Sequence, residues 1–245
     1  MQITSQRHLA IDGTFNLRDL GGYPLAGGRT RWRRLLRSDG LHRLGEEGIA
    51  SLLAEGVATV IDLRRDAECR AQPNPFANRP TVAYYNVSLF DQLAPEAMSD
   101  QNVLYDLYIQ ALVRRQEAIA QVLRWIADAG EGAVLFHCTA GKDRTGIIAA
   151  LLLAVAGVET ATIVEDYALT KARIAPLISI FLEDAAARGT DIETFRPLLA
   201  CEPETMAETM TYITRTYGSV DAYLRAIGLA PVTIARLRSR LVEDA

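Results

Sequence analysis

Cysteine is scarce: Cys69, Cys138 and Cys201 are the three in 245 residues, an odd number at wide spacings. Such usage matches neither a secreted disulfide framework nor a paired-cysteine zinc pattern, so a reducing, cytoplasmic setting is expected. Long apolar runs are missing as well. The longest, Ile147 to Val158, is too short to span a bilayer, and Met1 to His8 has no basic start leading into an apolar segment. Neither a signal peptide nor membrane insertion is expected, while export by a route without a signal stays open. There is no excess of positive charge: a net charge of -4 argues against nonspecific nucleic-acid binding but leaves the local potential of a cleft open. Solenoid repeats, low-complexity segments and a clean linker are all absent. At 49% hydrophobic and 23% charged residues, what remains is the composition of a soluble globular chain large enough to need no disulfide or metal staple.

Strand-like and helix-like segments alternate up to about Gly157, and the pattern beyond it is almost wholly helical. Val57–Leu63, Val82–Val87 and Ala133–His137 are short apolar or β-branched runs between polar or turn-forming segments, the pattern of buried strands sharing one sheet. Residues 45–55 and 102–129 carry apolar side chains at helical spacing and are expected to cover its faces. The glycine pairs and proline of Leu20–Arg29 predict a turn or hairpin, without the spacing of a dinucleotide-binding loop. Later helices are expected at Thr160–Lys171, Ala175–Arg188 and Glu204–Tyr217, with Met206, Met210, Ile213 and Tyr217 as a core stripe. The fold class is therefore α/β, a mainly parallel central sheet flanked by helices, in one domain over 1–245. Its α/β body spans 1–157, and 158–245 is a helical extension.

The chemistry concentrates in Ala133–Leu151, where a buried strand runs into Cys138, a short loop and a long apolar helix. Five residues separate Cys138 from Arg144, enough for a loop that curls round one tetrahedral anion with its backbone N–H groups turned inward. The positive end of the next helix and the Arg144 guanidinium favour thiolate over thiol at Cys138 and make it a nucleophile. Arg144 can grip two phosphate oxygens and follow the charge as it spreads during transfer. Gly141 permits a tight loop, Thr145 offers a hydroxyl to the sulfur, and His137 braces the loop. Each residue alone has a plain structural reading, but their joint spacing across a strand-to-helix turn does not. A nucleotide P-loop is excluded because Asp143 follows Gly141-Lys142 where Ser or Thr is required.

His137-Cys138-x5-Arg144-Thr145 resembles the signature of cysteine-dependent protein tyrosine phosphatases. With Asn16–Gly22 and Ile61–Arg64, the fuller segment Cys138–Arg144 is similar to the atypical bacterial tyrosine/dual-specificity phosphatases that also act on phosphoinositides. The likeness extends through Tyr217–Ser219 and Tyr223-Leu224, near the end of the chain. It implies an α/β phosphatase fold, no metal or other cofactor, and hydrolysis through a phosphocysteine intermediate. The substrate implied is a phosphorylated protein or a phosphoinositide, with transient contact to anionic lipid at most.

Cys138, Asp143 and Arg144 form the expected catalytic set, and Thr139, Ala140, Gly141, Lys142, Thr145 and Arg64 the expected substrate-binding set. An alcohol or phenol leaving group needs a proton, so a carboxylic acid is required near the loop. The resemblance points to Asp143. Asp91 is the alternative, on an upstream loop as in the usual tyrosine phosphatases, and a helix cap is the plain reading of Asp143. Asp19 and Asp62 are weaker candidates that pairing with Arg18 or Arg64 would explain. Lys142 adds charge that a multiply phosphorylated inositol ring would use, set against a merely solvated lysine. Arg64, at the end of a central strand, is a phosphate contact or a partner of Asp66 or Glu68. Arg29, Arg31, Arg33, Arg34 and Arg37 form a basic run that would approach anionic headgroups or remain a solvated face. Tyr105, Tyr108 and the segment after Leu93 are candidates for a lid. Competing readings are a noncatalytic phosphate-binding module and a sulfurtransferase or arsenate-reductase-like enzyme.

Overall fold

The apolar runs become the inner strands of a sheet in the computed structural model, which describes residues 7–90 and 103–242. The strands are β1 (Arg18–Asp19), a hairpin of β2 (Pro24–Leu25) and β3 (Gly28–Arg29), β4 (Leu35–Ser38), β5 (Val57–Asp62), β6 (Ala83–Asn86) and β7 (Ala133–His137). Among the described residues the main sheet runs β1-β4-β7-β5-β6, with β1 antiparallel at one edge and the other four parallel. The glycine-rich window forms the hairpin its composition predicts. Sequence patterning missed β1 and β4, since the arginines of 29–37 hide a strand behind charge.

Alternation along β7 explains why it is buried on both sides. Val134 and Phe136 join Leu35 and Ile61 in one core, while Ala133 and Leu135 join Leu36 and Val60 in the other. The second face is covered by α1 (Glu46–Ala54) through Ile49 and Leu52, with Phe76 beyond α2 (Asp66–Ala71). The first is covered by α3 (Val103–Arg114), α4 (Gln116–Asp128) and α5 (Asp143–Ala156). The periodicity over 102–129 belongs to two helices, because Arg115 leaves the helical region at φ -111° and ψ 28°.

Among the described residues eight further segments follow α5: α6 (Thr160–Ile174), a 3-10 turn (Ala175–Leu177), α7 (Ile178–Ala187), α8 (Ile192–Phe195), a second 3-10 turn (Arg196–Leu199), α9 (Pro203–Tyr217), α10 (Val220–Ala226) and α11 (Pro231–Leu241). Of these, α6, α9, α10 and α11 share the core of the first face, to which Met206, Met210 and Ile213 contribute. Burial of α5 is nearly complete around its circumference, which only a helix enclosed by others tolerates.

Register then fixes where chemistry can sit. Ser38, His137, Asp62 and Asn86 lie in one row across the four parallel strands, so the residues after them share the carboxyl edge of the sheet. That edge is where open α/β sheets place their ligands. Cys138 follows the central strand.

Candidate active site

Cys138 is 2% exposed and lies at the floor of a cleft of about 360 Å³. The loop after it is held from outside. The carbonyl of Thr139 accepts from the Gly40 N–H at 3.0 Å, and those of Ala140 and Gly141 accept from Asn16 Nδ2 at 3.0 Å each. Gly141 takes φ +67°, and a Cβ there would lie 2.5 Å from the Ser38 carbonyl oxygen, so both the turn and the close approach require glycine. No acceptor among the described residues takes the backbone N–H groups of 139–144. His137 braces the loop: Nδ1 donates to the Cys138 carbonyl at 3.0 Å, which leaves Nε2 to accept from Asn74 at 2.8 Å.

Arg144 meets a partner the sequence reading assigned elsewhere. Its Nη1 and Nη2 donate to the two carboxylate oxygens of Glu68 at 2.7 and 2.9 Å, and Thr139 Oγ1 donates to the same carboxylate at 2.5 Å. Burial by itself would raise the Glu68 carboxyl, but Arg144 and Thr139 hold it well below the usual carboxylate range. Arg144 is raised in turn: burial opposes its charge, and the neighbouring Cys138, Glu68 and Asp143 more than offset it. Glu68 escaped notice as a site residue because it stands 76 positions from Arg144. The available signal was a carboxylate in the first turn of a helix just past a parallel strand.

Three expected substrate contacts lie elsewhere. Arg64 is fully buried and spends its donors on Asp62, at 2.9 and 2.8 Å, and on the Gln72 carbonyl at 2.9 Å. It meets neither phosphate cleft nor Glu68, because residues two apart at the strand end share one side and pair locally. Lys142 is 1% exposed, with Nζ donating to the carbonyls of Leu198 and Ala200. It is the N-cap residue of α5 and is not among the residues that line the cleft. The Thr145 hydroxyl is buried without a hydrogen-bond partner and does not reach the sulfur. Thr139 and Ala140 do line the cleft beside Cys138, Asp143 and Arg144, and Gly141 shapes the loop from behind.

Asp143 lies on the wall rather than capping its own helix, since the cap position is Lys142 and no side chain closes it. Asp143 Oδ1 accepts from the Tyr108 hydroxyl at 2.7 Å, and Lys142 Nζ is 3.2 Å from the same oxygen. Tyr108 is wholly buried and also bonds the Tyr167 hydroxyl at 2.9 Å, so it is a support under Asp143 and not part of a lid. Tyr105 borders a different cleft, with Glu208 and Tyr212. Asp91 and the segment after Leu93 as far as residue 102 lie outside the described residues. Among the described residues the roof comes from the helical part: Phe181 and Asp184 of α7, Arg188 just after it, then Phe195, Leu198 and Leu199. Arg65 and Phe90 complete the walls, the Phe90 ring lying 5.7 Å from the Arg144 guanidinium carbon.

Asp19 and Asp62 are structural. Asp19 accepts from the Gly21 and Arg33 amides, and Asp62 from Arg64, Asn74 and Tyr84. The basic run is not a patch: Arg37 is buried against Asp166, Arg33 pairs with Asp19 and Glu55, and Arg31 donates to the Ser239 carbonyl. Among the described residues no three side chains of metal-ligating type are grouped to hold an ion, and no helix is long and apolar enough to cross a membrane.

A family model described as "Tyrosine phosphatase family" matches residues 9–243. A tyrosine-protein phosphatase of Nostoc commune is 33% identical over 224 residues, covering 84% of this chain and 73% of its own. The triple specificity protein phosphatase PtpB of Mycobacterium tuberculosis is 29% identical over 279 residues, covering 95% of this chain and 98% of its own. A crystal structure of P. aeruginosa TpbA in complex with pTyr aligns with 78% of this chain and 94% of that one, at 21% identity and a TM-score of 0.38. A strand, anion loop and helix centred on Cys138, inside a match that runs almost from end to end, mean that the chain belongs to the tyrosine phosphatase family and is a phosphatase.

Proposed function

We propose that this phosphatase hydrolyses phosphotyrosine, and phosphoserine or phosphothreonine less readily, through a phosphocysteine on Cys138. The observation that carries the reading is the row of backbone N–H groups with no acceptor among the described residues, next to Cys138 and the Arg144 guanidinium on one cleft floor. Cys138 Sγ attacks phosphorus in line, the bond to the ester oxygen breaks, and that oxygen leaves with the proton of Asp143. Inward amides and Arg144 stabilise the charge on the equatorial oxygens. The Asp143 carboxylate then takes a proton from water as it attacks phosphorus, the P–S bond breaks, and phosphate departs. Metal-independence, a cytoplasmic location and a single domain over 1–245 belong to the same reading.

Phosphoinositides are the second substrate class. Arg188, and Arg65 through the guanidinium nitrogens that its Nε pairing with Glu68 at 3.0 Å leaves over, supply the cations for a second phosphate that buried Lys142, spent on two carbonyls, does not. The triple specificity of PtpB, as its name states it, supports the breadth.

Purified protein is expected to hydrolyse a small aryl phosphate in excess chelator, and Cys138→Ser to lose turnover while still binding phosphate. Acid quenching during turnover traps phosphorus on Cys138 of the unaltered protein. Loss of activity with chelator, or tight phosphopeptide binding without turnover at any pH, overturns the reading. Thiocyanate from thiosulfate and cyanide, without ester hydrolysis, would return the sulfurtransferase alternative.

A further inference from the structure

The segment Asn16–Gly22 stood out in the sequence, and the reaction just described leaves it without a task. Asn16 is wholly buried and does not line the cleft. We propose that Asn16 is a positioning residue for the reaction at Cys138, the last link of a buried chain from Asp166 on α6 to the back of the phosphate loop. The proposal rests on the phosphocysteine reading and assigns to that site the residue that sets the direction of its amides.

The chain begins at the Asp166 carboxylate, 2% exposed, whose Oδ1 accepts from Arg18 Nε at 2.8 Å and from the Tyr23 hydroxyl at 2.7 Å. Its Oδ2 accepts from Arg37 Nη1. Arg18, held in this way, donates through Nη1 to Asn16 Oδ1. That contact settles the orientation of the Asn16 amide: the oxygen faces the guanidinium, so the nitrogen faces the loop, where Nδ2 meets the Ala140 and Gly141 carbonyls. Arg37 reaches the same place by its other arm, Nη2 donating to the Gly141 carbonyl at 2.8 Å. Asn16 and Arg18 stand two apart, the spacing that puts both side chains on one side of an extended chain.

The consequence follows from peptide geometry. A trans peptide is planar, with its C=O and N–H pointing in opposite directions. Drawing the carbonyls of Thr139, Ala140 and Gly141 outward, towards Gly40, Asn16 and Arg37, turns the N–H groups of Ala140, Gly141 and Lys142 to the other side. These are among the amides with no acceptor among the described residues. If a peptide is released from its outer donor and flips, it presents a carbonyl oxygen to the anion where an N–H stood. Asn16 thus acts on phosphate without touching it.

The test uses the full chain and inorganic phosphate as probe. Cys138 is alkylated with iodoacetamide at fixed pH, its modification is followed by peptide mass, and the phosphate concentration that protects it is measured. Asn16→Asp keeps the shape and the acceptor for Arg18 but replaces the donor to the loop. Protection is expected to need at least about tenfold more phosphate, the scale of one or two lost hydrogen bonds, while thermal unfolding shows a folded protein. Folded Asn16→Asp with wild-type protection overturns the proposal and leaves Asn16 merely structural. If that variant does not fold, Arg37→Lys decides: lysine replaces the two-armed guanidinium that joins Asp166 to the Gly141 carbonyl with a single nitrogen, so several-fold weaker protection is expected and unchanged protection overturns. Wild-type Cys138 that phosphate does not protect would count against the phosphatase reading itself, a different failure from an unchanged variant.

Discussion

Asp143, the proposed acid, shows how supports behind a single side chain fix its place on the cleft wall. Tyr108 donates to Oδ1 from beneath, and that hydroxyl is itself held by Tyr167, so one carboxylate oxygen is occupied and the other is left for the cleft. Both tyrosines are hard to ionise: burial comes first, and the nearby Asp143 carboxylate adds to it. They therefore stay donors across the working range of pH. Tyr108→Phe removes the support without altering the cleft wall. We expect kcat to fall about tenfold for alkyl or phenyl phosphates, whose leaving groups need the proton, and much less for nitrophenyl phosphate. Steady-state rates on a leaving-group series check this. A uniform loss across the series would make Tyr108 a packing residue and return the acid role to Asp91.

The element that matters most is the turn from β7 into α5, which ties the phosphate loop to the roof. Lys142 sits at the start of α5 and donates to the carbonyls of Leu198 and Ala200, joining that turn to the segment behind α8. A buried ammonium on two carbonyls is a structural clamp whose removal loosens both sides. Lys142→Ala is accordingly expected to lower turnover of phosphopeptides and phosphoinositides in the same proportion. Amide hydrogen exchange over 196–200 is expected to accelerate in the same variant. A loss confined to phosphoinositides would instead make Lys142 the lipid contact that its sequence position suggested.

At the level of the whole molecule, buried ionisable groups set the response to acid. His42 is pushed down to about 4, first by burial and then by Arg43 and Arg64, and His8 is lowered in the same sense by burial and Arg173. The unfolded chain takes a proton on His42 near 6.5, whereas the folded chain resists until about 4. Stability is therefore full above that upper value and falls as pH drops through the window, because the unfolded state binds more protons there. Glu68 and Asp166 are held below the usual carboxylate range, so their contribution is lost at more acid pH, beneath the histidine window. Urea unfolding at pH 7 and pH 4.5 is expected to show a smaller loss for His42→Gln than for the unaltered protein. Equal losses would show that His42 is no part of the acid response.

Much of this was legible in the residues themselves. The three apolar runs are strands within a residue of their expected ends, and the turn holding Cys138, Gly141, Asp143 and Arg144 lies where its spacing put it. Such features are local: side-chain alternation, glycine at a positive φ and the covalent distance from cysteine to arginine depend on neighbours along the chain. The partners of the charged groups are another matter. Glu68 on Arg144, Asn16 on the loop carbonyls, Asp166 between Arg18 and Arg37, and Lys142 on Leu198 and Ala200 join residues 56 to 148 positions apart. A buried charge takes whichever partner the sheet order and helix packing bring beside it, and that choice is not written in the spacing of either residue. Sequence alone determined the strand, the loop from Cys138 to Arg144 and the helix after it; tertiary structure decided which way the amides face, what holds the arginine, and what roofs the cleft.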